Sequence, residues 1–172
     1  MARKVFLPLT QGFADGLDGP PTVDSMRARL GGRLEDSPPA SILAGSLVTM
    51  ITPTGSERVG VLLCSEGEVS HVYLERGIVK RTQSDLLRVF EGETPADLAH
   101  IVRQARIFAS LSEGQEVHVD RGPGHTQSGV LREKCRYGGL VELSEGKLLG
   151  VGFGKLWPAA APLGQGGATG SN

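Results

Sequence analysis

The chain is poor in the residues that usually build large cores and reactive sites. Aromatic residues make up 5% of it, and there is a single tryptophan. With 39% hydrophobic residues overall, that suits modest cores and not one large one. A length of 172 residues allows one ordinary domain or two small ones. Net charge is nearly absent as well, at −1. Proteins that bind polyanions over much of their surface usually carry a large basic excess, so any nucleic-acid site here has to be a local patch. Counting by segment does not change this: residues 1–44 hold five basic and five acidic groups, 45–89 five and five, and 114–158 six and five.

Cysteine is scarce too. Cys64 and Cys135 have no CxxC partner, and two lone thiols fit a reducing, cytoplasmic compartment. Long hydrophobic runs are missing. The N-terminal MARKVFLPLTQGFADG is interrupted at Pro8, too early for the apolar stretch of a signal peptide, and nothing in the chain is expected to span a membrane. The four histidines, His71, His100, His118 and His125, show no metal-ligand spacing. No Ser-His-Asp order, HExxH or close carboxylate pair stands out. The expectation is a non-catalytic protein without metal or cofactor.

Glycine is what the chain has in quantity, 25 residues with 10 prolines, which favours turns and short strands. Much of it is organised by an internal repeat. Residues 114–158 align with 45–89 at a constant spacing of 69, without a gap, with ten identities in 45 positions. Composition alone would give about three. Gly45, Val48, Gly55, Gly60, Val61, Leu62, Val72, Leu74, Gly77 and Leu87 fall on their own kind. They sit at strand interiors and turns. Cys64 faces Glu133 and Cys135 faces Glu66 in this alignment, so the thiols are not a repeated site.

In order, residues 1–44 form an irregular arm with a strand at Val5 to Leu9, a loop at Gly12 to Pro21 and a short helix over Thr22 to Leu30. Ser37-Pro38-Pro39 separates it from the first repeat, 45–91. A helix is expected over 94–112, capped by Thr94, with Pro95 in its first turn and an apolar stripe of Leu98, Ile101, Val102, Ala105, Phe108 and Ala109. The second repeat occupies 113–158, and 159–172 is a Gly-rich tail expected to be disordered. Four or five short strands per repeat, over about 45 residues, is the size of a small SH3-like barrel. The fold class is therefore mainly β: two tandem small barrels, an amphipathic linker helix, an arm and a tail.

The pattern carried by Gly114, Val117, Val119, Gly129, Val130, Val141, Leu143 and Gly146, and again by Gly45, Val48, Met50, Gly60, Val61, Val72, Leu74 and Gly77, resembles the KOW and Tudor-like group of SH3-like barrels. The likeness covers about half the chain. It implies binding to RNA, nucleoprotein machines or protein tails. The basic excess of the ribosomal and transcription members is absent. The aromatics Tyr73, Tyr137, Phe153 and Trp157 are too dispersed for a methyl-lysine cage.

Arg132, Lys134 and Arg136 alternate in VLREKCRY. A regular strand would set them in one stripe, which reads either as a phosphate-tracking surface or as a solvated, edge-guarding face. The loop Asp120 to Ser128, DRGPGHTQS, brings Arg121 and His125 as a second contact region, and Tyr137 adjoins the stripe. The alternating glycines Gly150, Gly152 and Gly154 read as a close backbone approach or a corner. Trp157 reads as a core plug or lid. Two functions follow as expectations. One is an accessory factor docking on RNA or a nucleoprotein machine through the second barrel, by Arg132, Lys134, Arg136, Tyr137, Arg121 and His125. The other is a structural or assembly subunit, for instance of a phage or other particle, whose arm and barrel edges bind protein neighbours or other copies of itself.

Overall fold

A computed structural model describes residues 4–6 (backbone only), 22–35 and 41–159. The loop at Gly12 to Pro21, the Ser37-Pro38-Pro39 separator and the tail beyond Ala159 lie outside the described residues. The chain is mainly β and divides into two compact units: residues 1–9 with 34–109, and 10–33 with 110–172. No helix among the described residues is long and apolar enough to cross a membrane.

The first unit is an antiparallel sheet of β1 (Lys4–Phe6), β2 (Leu47–Ile51), β3 (Glu57–Glu66), β4 (Val69–Glu75), β5 (Ile78–Gln83) and β6 (Leu87–Val89), in the order β1-β5-β4-β3-β2-β6. Strict alternation makes β2: Val48 and Met50 are buried while Leu47, Thr49 and Ile51 are only half-buried. Val48, Met50, Leu62, Val72, Leu74 and Leu87 form one core cluster. Each such side chain contributes roughly 1.5–3 kcal/mol by leaving water. A 3-10 turn, Ser84–Leu86, carries the chain from β5 into β6, which returns to pair with β2.

The second unit repeats this path with β7 (Glu116–Asp120), β8 (Thr126–Cys135), β9 (Gly138–Leu143), β10 (Leu148–Gly152), a 3-10 turn at Phe153–Lys155 and β11 (Leu156–Pro158). Its order is β10-β9-β8-β7-β11. The spacing of 69 seen in the sequence holds in the ladders. Leu47 pairs with Val61 and Glu116 with Val130; Cys64 pairs with His71 and Glu133 with Leu140. Both long strands carry a one-residue irregularity at the same place, Leu63 and Arg132. Loop hydrogen bonds repeat as well: Gly45 N to Leu62 O at 2.7 Å and Gly114 N to Leu131 O at 2.6 Å, Phe90 N to Leu47 O at 3.0 Å and Ala159 N to Glu116 O at 3.2 Å. The matching core of Val117, Val119, Leu131, Val141, Leu143 and Leu156 is buried. Neither sheet is a closed barrel: no ladder among the described residues joins β1 to β6 or β10 to β11.

The arm is less irregular than its composition suggests. Its first piece is β1, which pairs antiparallel with β5 through Lys4–Lys80, Val5–Val79 and Phe6–Ile78. The remainder of the expected strand, Leu7 to Leu9, lies outside the described residues. Its second piece is helix α1 (Val23–Arg29), which belongs to the second unit. Thr22 caps α1: its hydroxyl accepts from Ser25 N at 3.0 Å, and Ser25 Oγ reciprocates toward the Thr22 backbone N–H at 2.9 Å. Met26 and Leu30 then pack with Cys135, Leu140 and Leu148 on the sheet face opposite the main core. At the positions equivalent to Cys135 and Leu140 the first unit carries Glu66 and His71. Glu66 and His71 stand 3.8 Å apart there, and Glu35 N donates to Glu66 at 2.9 Å.

The second helix, α2 (Ala99–Ser110), starts later than expected. Pro95 instead opens a single turn closed by Leu98 N to Pro95 O at 2.9 Å, and Thr94 lies ahead of that turn. The expected stripe is buried at Leu98, Ile101, Ala105 and Phe108.

Candidate functional site

The candidate surface is decided by the irregularity in β8. Leu131 pairs with Val141, but Glu133 pairs with Leu140, its neighbour on the opposite face. Arg132 is the extra residue, a β-bulge. The bulge breaks the alternation that would have placed Arg132, Lys134 and Arg136 on one face. Each of the three is also engaged locally. Arg132 Nε meets Glu142 Oε1 at 2.6 Å, Lys134 Nζ donates to Leu111 O at 2.9 Å, and Arg136 Nη1 donates to Gly31 O at 2.6 Å. The structure therefore does not gather them into a free cationic stripe.

The other expected contacts are equally separate. Tyr137 is 2% exposed, with its ring under Gly31 and its N–H donating to Leu30 O at 2.9 Å. Arg121 and His125 are exposed. Their loop is shorter than expected, because Asp120 already pairs with Thr126. Arg121 N to His125 O at 2.8 Å and His125 N to Gly122 O at 2.9 Å close it. Arg121 Nη1 donates to Gln127 Oε1 at 2.7 Å. Trp157 is not a core plug. Leu156 takes the inward place on β11, so the next side chain points away and is half-buried. Phe153 and Tyr137 fill the interior positions instead.

The bulge also explains Glu133, a buried carboxylate that it turns onto the face opposite the main core. Arg27 grips it with two prongs, Nε to Oε2 at 2.6 Å and Nη2 to Oε1 at 3.0 Å. Arg33 adds Nη1 to Oε1 at 3.1 Å and reaches Glu113 at 3.3 Å. Glu113 Oε2 in turn accepts Lys134 N at 2.8 Å. The Arg27 hydrogen bonds hold the Glu133 carboxyl below the usual carboxylate range, prevailing over burial, which pushes the other way. Cys135, beside it, is fully buried. Burial, reinforced by the neighbouring Glu133 charge, pushes its thiol up to about 12. A neutral, enclosed thiol is a poor nucleophile. Alkylation of Cys135 by iodoacetamide at neutral pH should therefore be slower by ~10²-fold or more in the folded protein than in denaturant, a contrast that mass spectrometry reads directly.

An open pocket of about 300 Å³ lies on the second unit, lined by Glu116, Ser128, Gly129, Val130, Arg132, Glu142, Leu143 and Ser144. Its charged floor is the Arg132–Glu142 pair, both side chains partly exposed. At the equivalent places the first unit has Leu63 and Tyr73, buried to 6% and 5%. Two copies of one framework thus treat this face oppositely, apolar and covered in the first, charged and open in the second. Of the charged groups at this surface, Arg27, Arg33, Glu113 and Glu142 were not singled out from sequence as site residues. The strand-borne Glu133 was the visible hint that an arginine had to come from elsewhere.

No protein-family model matches the chain, and no curated protein matches its sequence.

Proposed function

We propose that the chain is a non-catalytic binding protein of two SH3-like modules, the second of which docks onto a protein component of a larger assembly. The SH3-like reading is supported by two runs of five consecutive antiparallel strands, β2 to β6 and β7 to β11, in each of which the last strand, after a 3-10 turn, comes back beside the first of the run. The protein-partner reading rests on one observation: the open pocket presents both signs of charge side by side, Arg132 against Glu142 with Glu116 at its wall. A groove of mixed sign suits a polypeptide surface and penalises a continuous polyanion.

Docking on RNA is the second reading, favoured by the exposed loop-tip cations Arg121 and His125. A titration of fluorescent single-stranded and duplex RNA, between about 50 and 200 mM salt, separates the two. The protein reading expects no saturable binding below about 10 µM protein, and no change on replacing Arg132, Lys134 and Arg136 together with alanine. Tight binding whose salt slope flattens in that triple variant would establish the RNA reading and end the first.

A further inference from the structure

We propose that the pocket of the second unit receives an α-helix of a partner protein, one that brings an arginine or lysine to Glu116. This rests on the protein-binding reading above and names the element that binds. The internal repeat supplies the first argument. Across β2, β3 and β4 the residues Leu47, Val61 and Tyr73 form one row, and the spacing of 69 turns it into Glu116, Val130 and Glu142 across β7, β8 and β9. Val48, Leu62 and Val72, and their counterparts Val117, Leu131 and Val141, fill the core on the opposite face. Next to its row the first unit holds a helix. The backbone of Arg106, in α2, lies so close to Gly45 that a Cβ there would stand 3.1 Å from Arg106 N and 3.2 Å from Arg106 Cα. In the second unit Gly114 takes the place of Gly45 and keeps its hydrogen bond to the neighbouring strand, Gly114 N to Leu131 O. That bond sets it beside Arg132 and the pocket. Gly45 is buried, whereas Gly114 is exposed, with nothing within 4 Å of where its Cβ would be. One framework thus holds a helix at this place in its first copy and offers it open in the second.

The charges say what that helix carries. Arg132 and Glu142 answer each other at 2.6 Å. Glu116 is exposed, and its carboxylate has no hydrogen bond or ion pair among the described residues. The exposed hydroxyls of Ser128 and Ser144 line the same pocket. The pocket therefore keeps one unmatched anion among neutral hydrogen-bonding groups, and a cation on the incoming surface complements it. α2 marks where such a cation falls. Arg106 lies over Gly45, two residues ahead of Leu47, and Leu47 is the position that Glu116 occupies in the second unit. α2 is itself committed, with Ile101, Ala105 and Phe108 buried, so the occupant is a helix of another protein. An amphipathic helix laid into a groove, held by a few anchors, is a common mode of protein recognition.

The probe is a synthetic peptide of residues 94–112, TPADLAHIVRQARIFASLS, because this framework already holds that helix in its first copy. It is titrated into the full chain, labelled with nitrogen-15, and followed by amide shifts. Saturable binding with a Kd between about 10 µM and 1 mM is expected, with shifts at 114–116, 128–132 and 142–144. Two altered peptides, Ala105→Pro and Arg106→Glu, should each bind at least ~10-fold more weakly, the first because proline breaks the helix and the second because it sets like charges together. Glu116→Gln in the protein should weaken the original peptide to a similar degree with an unchanged melting curve. No binding up to about 1 mM overturns the helix proposal and leaves the protein-partner reading to its own RNA titration. Equal binding of the Ala105→Pro peptide means an extended occupant and overturns it too, as do shifts confined to the surroundings of Gly45. Binding indifferent to Glu116→Gln removes the role of that carboxylate and rejects the proposal. Should that variant unfold, the Arg106→Glu peptide decides the charge argument on the wild type.

Discussion

Replacing Gly60 or Gly129 with alanine is expected to cost its unit about 2–4 kcal/mol, lowering the melting temperature by roughly 10 °C or more. The two glycines occupy the same place in β3 and β8, and each is overlaid by the neighbouring strand. A Cβ on Gly60 would stand 2.5 Å from Tyr73 O and 2.6 Å from Val72 Cγ1. On Gly129 it would stand 2.6 Å from Val141 Cγ1 and 2.8 Å from Glu142 O. One obstacle in each case is a backbone carbonyl held in a ladder, which cannot swing aside as the end of a lysine can. Relief requires the two strands to separate, and that weakens the pairing on both sides. Ser128→Ala, one residue away and exposed, should stay within about 0.5 kcal/mol of wild type. Calorimetry of the three variants checks the contrast. Mild effects at both glycines would mean that the strands are not packed this closely.

Glu133→Ala should release α1 from the second unit. The carboxylate is the shared anchor of Arg27 and Arg33, and its side chain is only 10% exposed. Without it, two arginines face a site built for an anion, and the packing of Met26 and Leu30 must hold the helix alone. Since Arg33 is more than half exposed and can turn to water, the loss is smaller than for a fully buried pair. A fall of ~5–10 °C in the melting of the second unit is expected, with faster amide exchange over 22–33. Glu133→Gln should show the same effect in part, since it keeps the shape and loses the charge.

The effect depends on pH in a defined direction. The folded-state pKa of Glu133 is lowered relative to the unfolded chain. Its contribution is therefore complete above the ordinary glutamate value of about 4.3 and disappears as pH falls through the folded-state value. Wild type and Glu133→Gln should differ most near neutrality and converge in acid. A constant difference down to acid pH would show that the ion cluster is not what holds α1.

The duplicated framework was legible because it is written in local terms. Val48, Met50 and their counterparts Val117 and Val119 alternate with partly exposed residues, and glycines mark the same turns in both copies. Strand β2 and the short helix α1 could be read from neighbouring residues, and the spacing of 69 from laying one copy on the other. The candidate site was not legible in the same way. Arg132, Lys134 and Arg136 look like a stripe only if β8 alternates without interruption, and a bulge leaves no signature in the residues that form it. The later start of α2 follows a similar logic, since Pro95 is compatible both with a first helical turn and with the tighter turn that leads into the helix.

Alone, the order of residues determined that this is a mainly β chain built on a repeated plan, because strand periodicity and turn chemistry act over a few residues at a time. Only the tertiary structure decided where its charges went. Arg27 meets Glu133 from 106 positions away, and Arg136 meets the Gly31 carbonyl from 105. Coulomb attraction and hydrogen bonding between such groups depend on distance in space, which the chain acquires only when the sheet has bulged and the arm has folded back onto it.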